Sequence, residues 1–339
     1  MAKRKGVVDS MRLHLNKALF LELAQAAAQH LQVPEAYVEK DYWVTRALKY
    51  LSESPSANVV VFKGGTALSK AYKLINRFSE DIDLAICFNG HSGGQIKAMI
   101  KAAEKVTATG LVRVEGDPRE SKYGQFRKAI FKYPGLYPDA ELGQVAPHIL
   151  IETNAFTTPE PSEFRPISSL ISEVLSELGQ SKLVVEYELE VFDIKVLCVQ
   201  RTLVEKVFSL VRACREPDPS SSLREKIRHI YDICMILRDD EYRRYLLSDE
   251  FFEMAEVVAN TDRQQFKAGC TWLDHPTSDA CLFSDSEATW ALISGEFSGN
   301  FKDMLYDDDL PADSEVLEVL ALIYQQLKTS CAMKLVASS

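Results

Sequence analysis

The pattern of hydrophobic and polar positions predicts two helices at the start of the chain. Apolar residues recur at helical spacing between residues 9 and 32, as they do along the buried face of an amphipathic helix. A second helix is expected to begin near Pro34, a residue favoured in the first helical turn, and to reach about Leu51. The polar segment 52–58 then separates these helices from the first predicted strand.

Residues 59–88 change from a strand pattern to a helical pattern and back. A β-branched and aromatic run at 59–62 predicts a strand, and Gly64 and Gly65 end it. Thr66 is expected to cap the short helix that follows, because its hydroxyl can accept a hydrogen bond from the first helical turn. The segment therefore predicts a strand, a glycine turn, a helix and a second strand, in that order.

Two acidic residues lie in the second of these strands, at 81–88. Asp81 and Asp83 are two positions apart, and the alternation of side chains along a strand places both on one face. Adjacent carboxylates repel each other unless a cation lies between them. The glycine turn before a helix offers backbone N–H groups that suit a phosphate. Together these features indicate metal-dependent chemistry on a nucleotide.

The rest of the pattern predicts an α/β part followed by a helical part. Helices and strands alternate up to residue 197, and only helices are expected after it. We therefore predict an α/β domain at 1–197 and a helical domain at 198–339. Helices are expected at 95–108, 168–178, 199–215 and 222–238, and strands at 110–115, 125–132, 146–154 and, singly or as a pair, within 183–197.

Composition excludes several classes of protein. The chain has 339 residues, of which 46% are hydrophobic and 26% charged, as in globular proteins of two or three domains. No apolar run approaches the ~20 residues that span a bilayer, and no apolar segment follows the basic N-terminus, so neither a membrane anchor nor a secretory signal is predicted. Seven scattered cysteines without a C-x-x-C motif argue against zinc and against a disulfide framework. A cytoplasmic location is expected.

The charge distribution modifies what the net charge of −10 indicates. Residues 231–339 carry 8 Lys and Arg against 21 Asp and Glu, a net of −13, so residues 1–230 carry +3. The larger part of the chain is thus compatible with a polyanionic partner. We predict that the acidic end lies away from a nucleic acid, which would instead meet basic side chains such as Lys70, Arg77, Arg127 and Lys128.

The order of strand, Gly-Gly-Thr, helix and strand with D-x-D is similar to the nucleotidyltransferase fold shared with polymerase β. This resemblance implies a mixed sheet and a third carboxylate on a neighbouring strand, for which Glu152 is the candidate. His148, Leu150 and Glu152 alternate onto one face of their predicted strand, and a carboxylate in an apolar strand is costly to bury without a cation. The alternative is a glutamate on an edge strand that faces water.

Longer motifs resemble those of one family, the AbiEii/AbiGii nucleotidyltransferase toxins of type IV toxin–antitoxin systems, which include the MenT toxins. The motifs are VEKDYWVTRAL, FKGGTALSKAY, RFSEDIDLA, RTLVEKVFSLVR and IRHIYDICMIL. The similarity extends over about residues 35–240. It implies a polymerase β-like core with N-terminal helices and a C-terminal helical domain that contributes to the active-site cleft.

The resemblance also implies site residues. The metal-binding residues would be Asp81, Asp83 and Glu152, and the catalytic set would add Lys206 and Asp232. For the nucleotide, the resemblance implies Gly65, Thr66 and Lys206. Gly64 of the same turn, Lys70 on the short helix and Arg77 before the acidic strand are added as nucleotide-binding candidates from their positions, the alternative for the basic residues being a solvated helix face. The chain departs from the family pattern at His229, where an acid is usual.

Several of these residues have a plainer explanation when the resemblance is set aside. Lys206 lies at the margin of the apolar face of its helix and could be a surface lysine. Arg228 and Asp232 are four positions apart and could form an exposed helix pair. Tyr42 and Trp43 are expected to pack inside the protein rather than to stack on bases.

The activity implied by the resemblance is transfer of a nucleoside monophosphate from an NTP to an acceptor, with two Mg²⁺ ions at the acids and pyrophosphate leaving. The implied acceptor is the tRNA 3′ end, and the implied outcome is a block of translation, growth arrest and antiviral defence. An AbiEi-type antitoxin is the implied partner, and a monomer without membrane contact is expected. The alternatives are a nucleotidyltransferase that modifies a small molecule or protein, and a non-catalytic nucleotide- or RNA-binding module.

Overall fold

A computed structural model describes residues 12–79, 81–137, 147–156, 158–266 and 269–337. The contacts between residues divide the chain into two compact units. The first unit contains residues 1–66, 79–158 and 163–196, and the second contains residues 67–78, 159–162 and 197–339. Each unit therefore combines stretches that are separate in the sequence.

The first unit combines helices with the strands of a sheet. α1 buries Phe20, Leu23 and Ala27 on one face, whereas α2 is buried around most of its circumference. The helices are α1 (Lys17–Leu31), α2 (Glu35–Ser52), α3 (Gly64–Lys70), α4 (Gly93–Thr107), α5 (Leu170–Glu177) and α6 (Ser181–Glu186). The strands are β1 (Val60–Lys63), β2 (Ile82–Ile86), β3 (Val112–Arg113), β4 (Ser121–Tyr123), β5 (Phe126–Lys132), β6 (His148–Asn154), β7 (Ser162–Ile167) and β8 (Phe192–Leu197). Along the chain, α3 continues from the first unit into the second.

Among the described residues, eight strands form one mixed sheet. The strand order is β3-β5-β6-β2-β1-β8-β7, and β4 pairs with β5 outside this path. β2 runs parallel to β6, and β1 runs parallel to β8, whereas β1–β2 and β5–β6 are antiparallel. The predicted α/β class with a mixed sheet is confirmed. Because β6 lies between β5 and β2, the alternative of an edge-strand position for Glu152 is wrong.

The two faces of the sheet have different surroundings. α4 packs against β2 and β6, and its Glu104 forms an ion pair with Arg127 of β5 at 2.6 Å. Arg127 therefore lies on the face that α4 covers. Because side chains alternate along a strand, Asp83, Glu152 and Lys128 lie on the opposite face. The prediction that Arg127 meets a nucleic acid is wrong, since Glu104 holds its guanidinium group on the other face.

The second unit is mainly helical. Its helices are α7 (Val199–Ala213), α8 (Pro219–Glu225), α9 (Ile227–Leu237), α10 (Asp240–Leu246), α11 (Asp249–Phe266), α12 (Cys281–Ser284), α13 (Ser286–Ser298) and α14 (Asp313–Ala337). The apolar faces of α7, α9, α13 and α14 meet in one hydrophobic core, which includes Leu203, Val207, Ile233, Ile293 and Ile323. Within the ranges that the structure describes, no helix combines the length and the apolar composition of a membrane span.

Two predicted elements differ from the structure, and two observed strands have no predicted counterpart. Residues 181–186 form α6 although Val184 and Val185 favour a strand, because the segment packs back against α5 and buries Val184; strand propensity depends strongly on such context. The helix predicted at 222–238 is divided into α8 and α9 at Lys226, where the backbone leaves helical geometry (φ −101°, ψ 13°). The pattern also predicts neither β4 nor β7.

Candidate active site

The carboxylate of Asp83 lies against the first residue of α3. Gly64 has φ +81°, in the left-handed region that glycine adopts readily and other residues rarely. A Cβ atom at this position would overlap the Asp83 carboxylate. The close approach follows from the register of β1 and β2, which pairs Lys63, the residue before the turn, with Asp83. A glycine is therefore needed at residue 64 for its backbone conformation and for the space that Asp83 occupies.

The hydroxyl group of Thr66 holds the backbone that leads into β2. Thr66 is buried, and its Oγ1 donates to the carbonyl oxygen of Asp81 at 2.6 Å and lies 2.8 Å from Oγ of Ser79. This contact fixes Asp81, directly ahead of β2, to the first turn of α3. The predicted N-cap role of Thr66 is wrong, because α3 begins two residues earlier at Gly64. In the structure Thr66 instead places an acidic residue.

Asp83 and Glu152, which we call the carboxylate pair, are neighbours across β2 and β6. The parallel register pairs them directly, and adjacent strands lie about 4.8 Å apart. On one side Lys63 of β1 is paired with Asp83, and on the other side Lys128 of β5 is paired with Glu152. All four side chains are half-buried. A row of four charges, with two carboxylates between two lysines, thus crosses one face of the sheet.

The carboxylate pair fits a divalent cation in its chemistry and in its register. Carboxylate oxygens are ligands that Mg²⁺ prefers in proteins, and a cation relieves the repulsion between like charges at this spacing. Asp81, which Thr66 positions, offers further oxygen atoms two residues ahead of Asp83. In the described part of the chain, no three His, Cys, Asp or Glu side chains are already grouped as a metal site. The fit therefore depends on the two paired carboxylates.

Three charged side chains of the second unit form what we call the buried ion cluster: Arg77, Lys206 and Asp232. Asp232 in α9 is fully buried, and its Oδ1 and Oδ2 accept from Nε and Nη2 of Arg77 at 2.7 and 2.8 Å. Lys206 in α7 donates to Oδ2 of the same carboxylate at 2.7 Å. Lys206 is therefore no surface lysine. The alternative of an exposed pair between Arg228 and Asp232 is also wrong, because Asp232 is buried and bonded to the other two members.

The buried ion cluster keeps its carboxylate charged and carries one excess positive charge. Burial by itself raises the pKa of Asp232, but Arg77 and then Lys206 outweigh it and hold the pKa well below its usual range. Burial, followed by the charge of Lys206, lowers the pKa of the neighbouring His229 well below its usual value. Its Nδ1 is buried without a hydrogen-bond partner. His229 is thus neutral, and two cations share one anion.

The sequence-predicted residues separate into two groups according to the unit that contains them. Gly64, Gly65, Thr66, Asp81, Asp83 and Glu152 belong to the first unit, and Lys70, Arg77, Lys206 and Asp232 belong to the second. Lys70, at the end of α3, is buried. The sequence analysis missed Lys63, although its position directly before the glycine turn could have indicated it. It also missed the pairing of Arg77 with Asp232, which are 155 positions apart.

Comparison with known proteins identifies the family. The family model described as nucleotidyl transferase AbiEii toxin, type IV TA system, matches residues 46–319. The chain is a member of the AbiEii family. The chain is also similar to a solved structure, that of MenT4, a nucleotidyltransferase toxin from Mycobacterium tuberculosis H37Rv. The sequence identity is 15% and the TM-score 0.37, and the match covers 88% of this chain and 98% of that chain. No curated protein matches.

Membership of the AbiEii family establishes the class of activity. The protein is a nucleotidyltransferase and the toxin of a type IV toxin–antitoxin system, with a nucleotide substrate and a cognate antitoxin. The motifs that carry the resemblance lie largely within the matched residues, and they contain the carboxylate pair's Asp83 and all members of the buried ion cluster. The non-catalytic alternative is therefore excluded.

Replacement of Gly64 by alanine should inactivate the enzyme without unfolding it. The added Cβ would displace the Asp83 carboxylate, and a displacement of about 1 Å at a catalytic group costs roughly 100-fold in rate. The measurement is incorporation of labelled nucleotide by the purified variant, with circular dichroism as a test of folding. Gly94→Ala in α4 is the matched control, because a Cβ there meets no neighbouring atom. A wild-type rate for Gly64→Ala would contradict a role for the position of the Asp83 carboxylate in the reaction.

Replacement of Asp232 by asparagine should destabilise the protein strongly. The change leaves two buried cations without a countercharge, which costs about 3–5 kcal/mol of unfolding free energy, measurable by urea denaturation. Because the folded-state pKa of Asp232 lies below the unfolded value, its contribution is complete at neutral pH and declines as pH falls below about 4. The difference in unfolding free energy between wild type and Asp232→Asn should therefore become smaller as the pH falls. Asp308→Asn, at an exposed ion pair with Lys302, should change stability little.

Proposed function

We propose that this toxin transfers a nucleoside monophosphate from an NTP to the 3′ end of tRNA, which blocks aminoacylation and arrests growth in the cytoplasm. The observation that carries the proposal is the carboxylate pair beside the Gly64 turn. Two paired carboxylates can hold a metal ion and a helix start can bind a triphosphate, and nucleotidyl transfer uses both parts. The excess of basic residues in 1–230 supports an RNA acceptor over a small molecule.

The carboxylate pair would hold Mg²⁺ together with Asp81. When bound, this ion supplies positive charge that both substrates need at the reacting phosphate. Gly64 and Gly65 would present backbone N–H groups to the triphosphate at the start of α3, and Thr66 would keep Asp81 in place. Glu152, half-buried beside Asp83, would accept the proton of the acceptor hydroxyl as a general base.

Within the second unit, Lys206 would be the phosphate-binding side chain that the family motif implies. Asp232 and Arg77 fix the Nζ atom of Lys206 by hydrogen bonds of 2.7 and 2.8 Å to the shared carboxylate. The excess positive charge of the cluster suits a phosphate group. Arg77 is buried and donates to Asp232 and to the Phe78 carbonyl oxygen. We therefore assign to Arg77 a positioning role, and to Lys70 a supporting charge at the end of α3.

Neutralising either member of the carboxylate pair should abolish transfer. Purified protein is incubated with each labelled NTP and total tRNA, and label in tRNA is measured. Asp83→Asn or Glu152→Gln should lower the rate at least about 100-fold, because each removes a charge that positions the metal. Chelation should stop the wild-type enzyme, and added Mg²⁺ should restore it. Glu115→Gln, at an exposed side chain, is the matched control. Label on a small molecule instead of tRNA would contradict the proposed acceptor.

Expression of the wild-type chain should arrest bacterial growth, and Asp83→Asn should relieve the arrest. The reason is that toxicity requires the transfer reaction and not merely binding of tRNA. Growth curves after induction, with immunoblots to match the amounts of soluble protein, provide the measurement. Equal growth arrest by wild type and Asp83→Asn would show that toxicity does not depend on the carboxylate pair.

A further inference from the structure

Three aromatic rings stack in a line on one part of the sheet. Tyr123 of β4 stacks on Phe126 of β5, with ring centroids 4.9 Å apart and planes 23° from parallel. Phe126 in turn stacks on Phe156, which follows β6, at 5.9 Å and 13°. We call these three residues the aromatic row. Tyr123 is 57% exposed, and the other two rings are half-buried.

The strand register places the aromatic row on the same face as the carboxylate pair. Phe126 is paired with Asn154, and Lys128 is paired with Glu152, so Phe126 and Glu152 are offset by two residues along the strands. Two residues of a strand correspond to about 7 Å. Tyr123 is paired with Phe126 and therefore shares this face. Phe126 of the aromatic row thus lies about 7 Å along the strands from Glu152, roughly the length of one nucleotide.

Packing alone does not explain the row. Cross-strand aromatic pairs do stabilise hairpins, but an aromatic residue that serves a core is buried, as Tyr42 and Trp43 are in α2. Tyr123 instead exposes more than half of its surface beside the charged row. An exposed aromatic stack next to lysine is the arrangement that proteins use to bind single-stranded nucleic acid, because each base has a flat face that can stack.

The position of the row within the sheet indicates which substrate it meets. Across the sheet, the Gly64 turn follows β1, the carboxylate pair is on β2 and β6, and the aromatic row extends from β6 over β5 to β4. In phosphoryl transfer the attacking and leaving oxygens are in line on opposite sides of the phosphorus. With the triphosphate at the Gly64 turn, an acceptor on the other side of the carboxylate pair would approach from the β5–β4 side.

We propose that the aromatic row stacks on unpaired bases at the 3′ end of the acceptor RNA, while Lys128 contacts the adjoining phosphate. This inference rests on the proposed transfer to RNA and specifies which residues bind that substrate. Lys128 is directly opposite Glu152 and two residues from Phe126 along β5, on the same face, so the backbone of a stacked strand would pass near it on the way to the acids. Recognition by stacking predicts a preference for unpaired RNA, since paired bases already stack on one another.

Binding can be tested without catalysis, by fluorescence anisotropy of a short labelled single-stranded RNA in the absence of NTP. Tyr123→Ala should weaken binding roughly 5- to 100-fold, as loss of one stacked base does elsewhere. Tyr123→Phe should bind like the wild type, because stacking needs the ring and not the hydroxyl group. An abasic strand of the same length should bind wild type and Tyr123→Ala equally. Lys128→Ala should weaken binding to both strands and reduce its salt dependence.

Phe164→Ala is the matched control, because Phe164 is equally exposed (58%) but lies on β7 at the other edge of the sheet. Unchanged affinity in Tyr123→Ala, or no binding of single-stranded RNA by wild type, would overturn the inference. Steady-state kinetics separate it from the proposed function. If tRNA is labelled but Tyr123→Ala leaves its KM unchanged, or raises only the KM for NTP, the row does not bind the acceptor. If RNA binds through the row but is never labelled, the proposed transfer fails.

Discussion

Two carboxylates with the same charge are held on neighbouring strands, and the rest of the site depends on this repulsive contact. The register of β2 and β6 is imposed by burial, because Ile82 and Ile151 are paired on the face that α4 covers. A slip of one residue would bring these side chains to the opposite face. The hydrophobic core therefore brings the carboxylate pair together, with Lys63 on one side and Lys128 on the other. The carboxylate pair therefore suits a divalent cation.

Asp232, the acidic residue of the buried ion cluster, is stabilised differently from the carboxylate pair. Asp232 is fully buried, and the cost of removing it from water is met by two cations that donate three hydrogen bonds to its two oxygens. This carboxylate needs no ligand to be satisfied. Its contacts join the segment 67–78 to α7 and α9. The acidic residues of the site are thus suited to different roles. The carboxylate pair is suited to bind substrates, and Asp232 is suited to hold Lys206.

The first unit carries charges and aromatic rings on one face of its sheet in an order that suits two substrates. The glycine turn offers space and N–H groups but no side chain, and the lysines on β1 and β5 flank the acids. The aromatic row lies beyond the second lysine. Alternation along the strands explains why these groups share a face while Arg127, the neighbour of Lys128, turns to α4 and pairs with Glu104.

The sequence by itself determined the local elements of the site. Gly64 and Gly65 between strand and helix, and two acids two residues apart, are short-range patterns that hydrophobic periodicity and turn chemistry define, and the family motifs extend this to the type of activity. Only the tertiary structure decided which distant residues meet. The pairing of Asp83 with Glu152, of Arg77 with Asp232, and of Arg127 with Glu104 depends on strand order and on helix packing, which no local pattern encodes. The same reason explains α6, whose valines favour a strand until packing against α5 makes the segment helical.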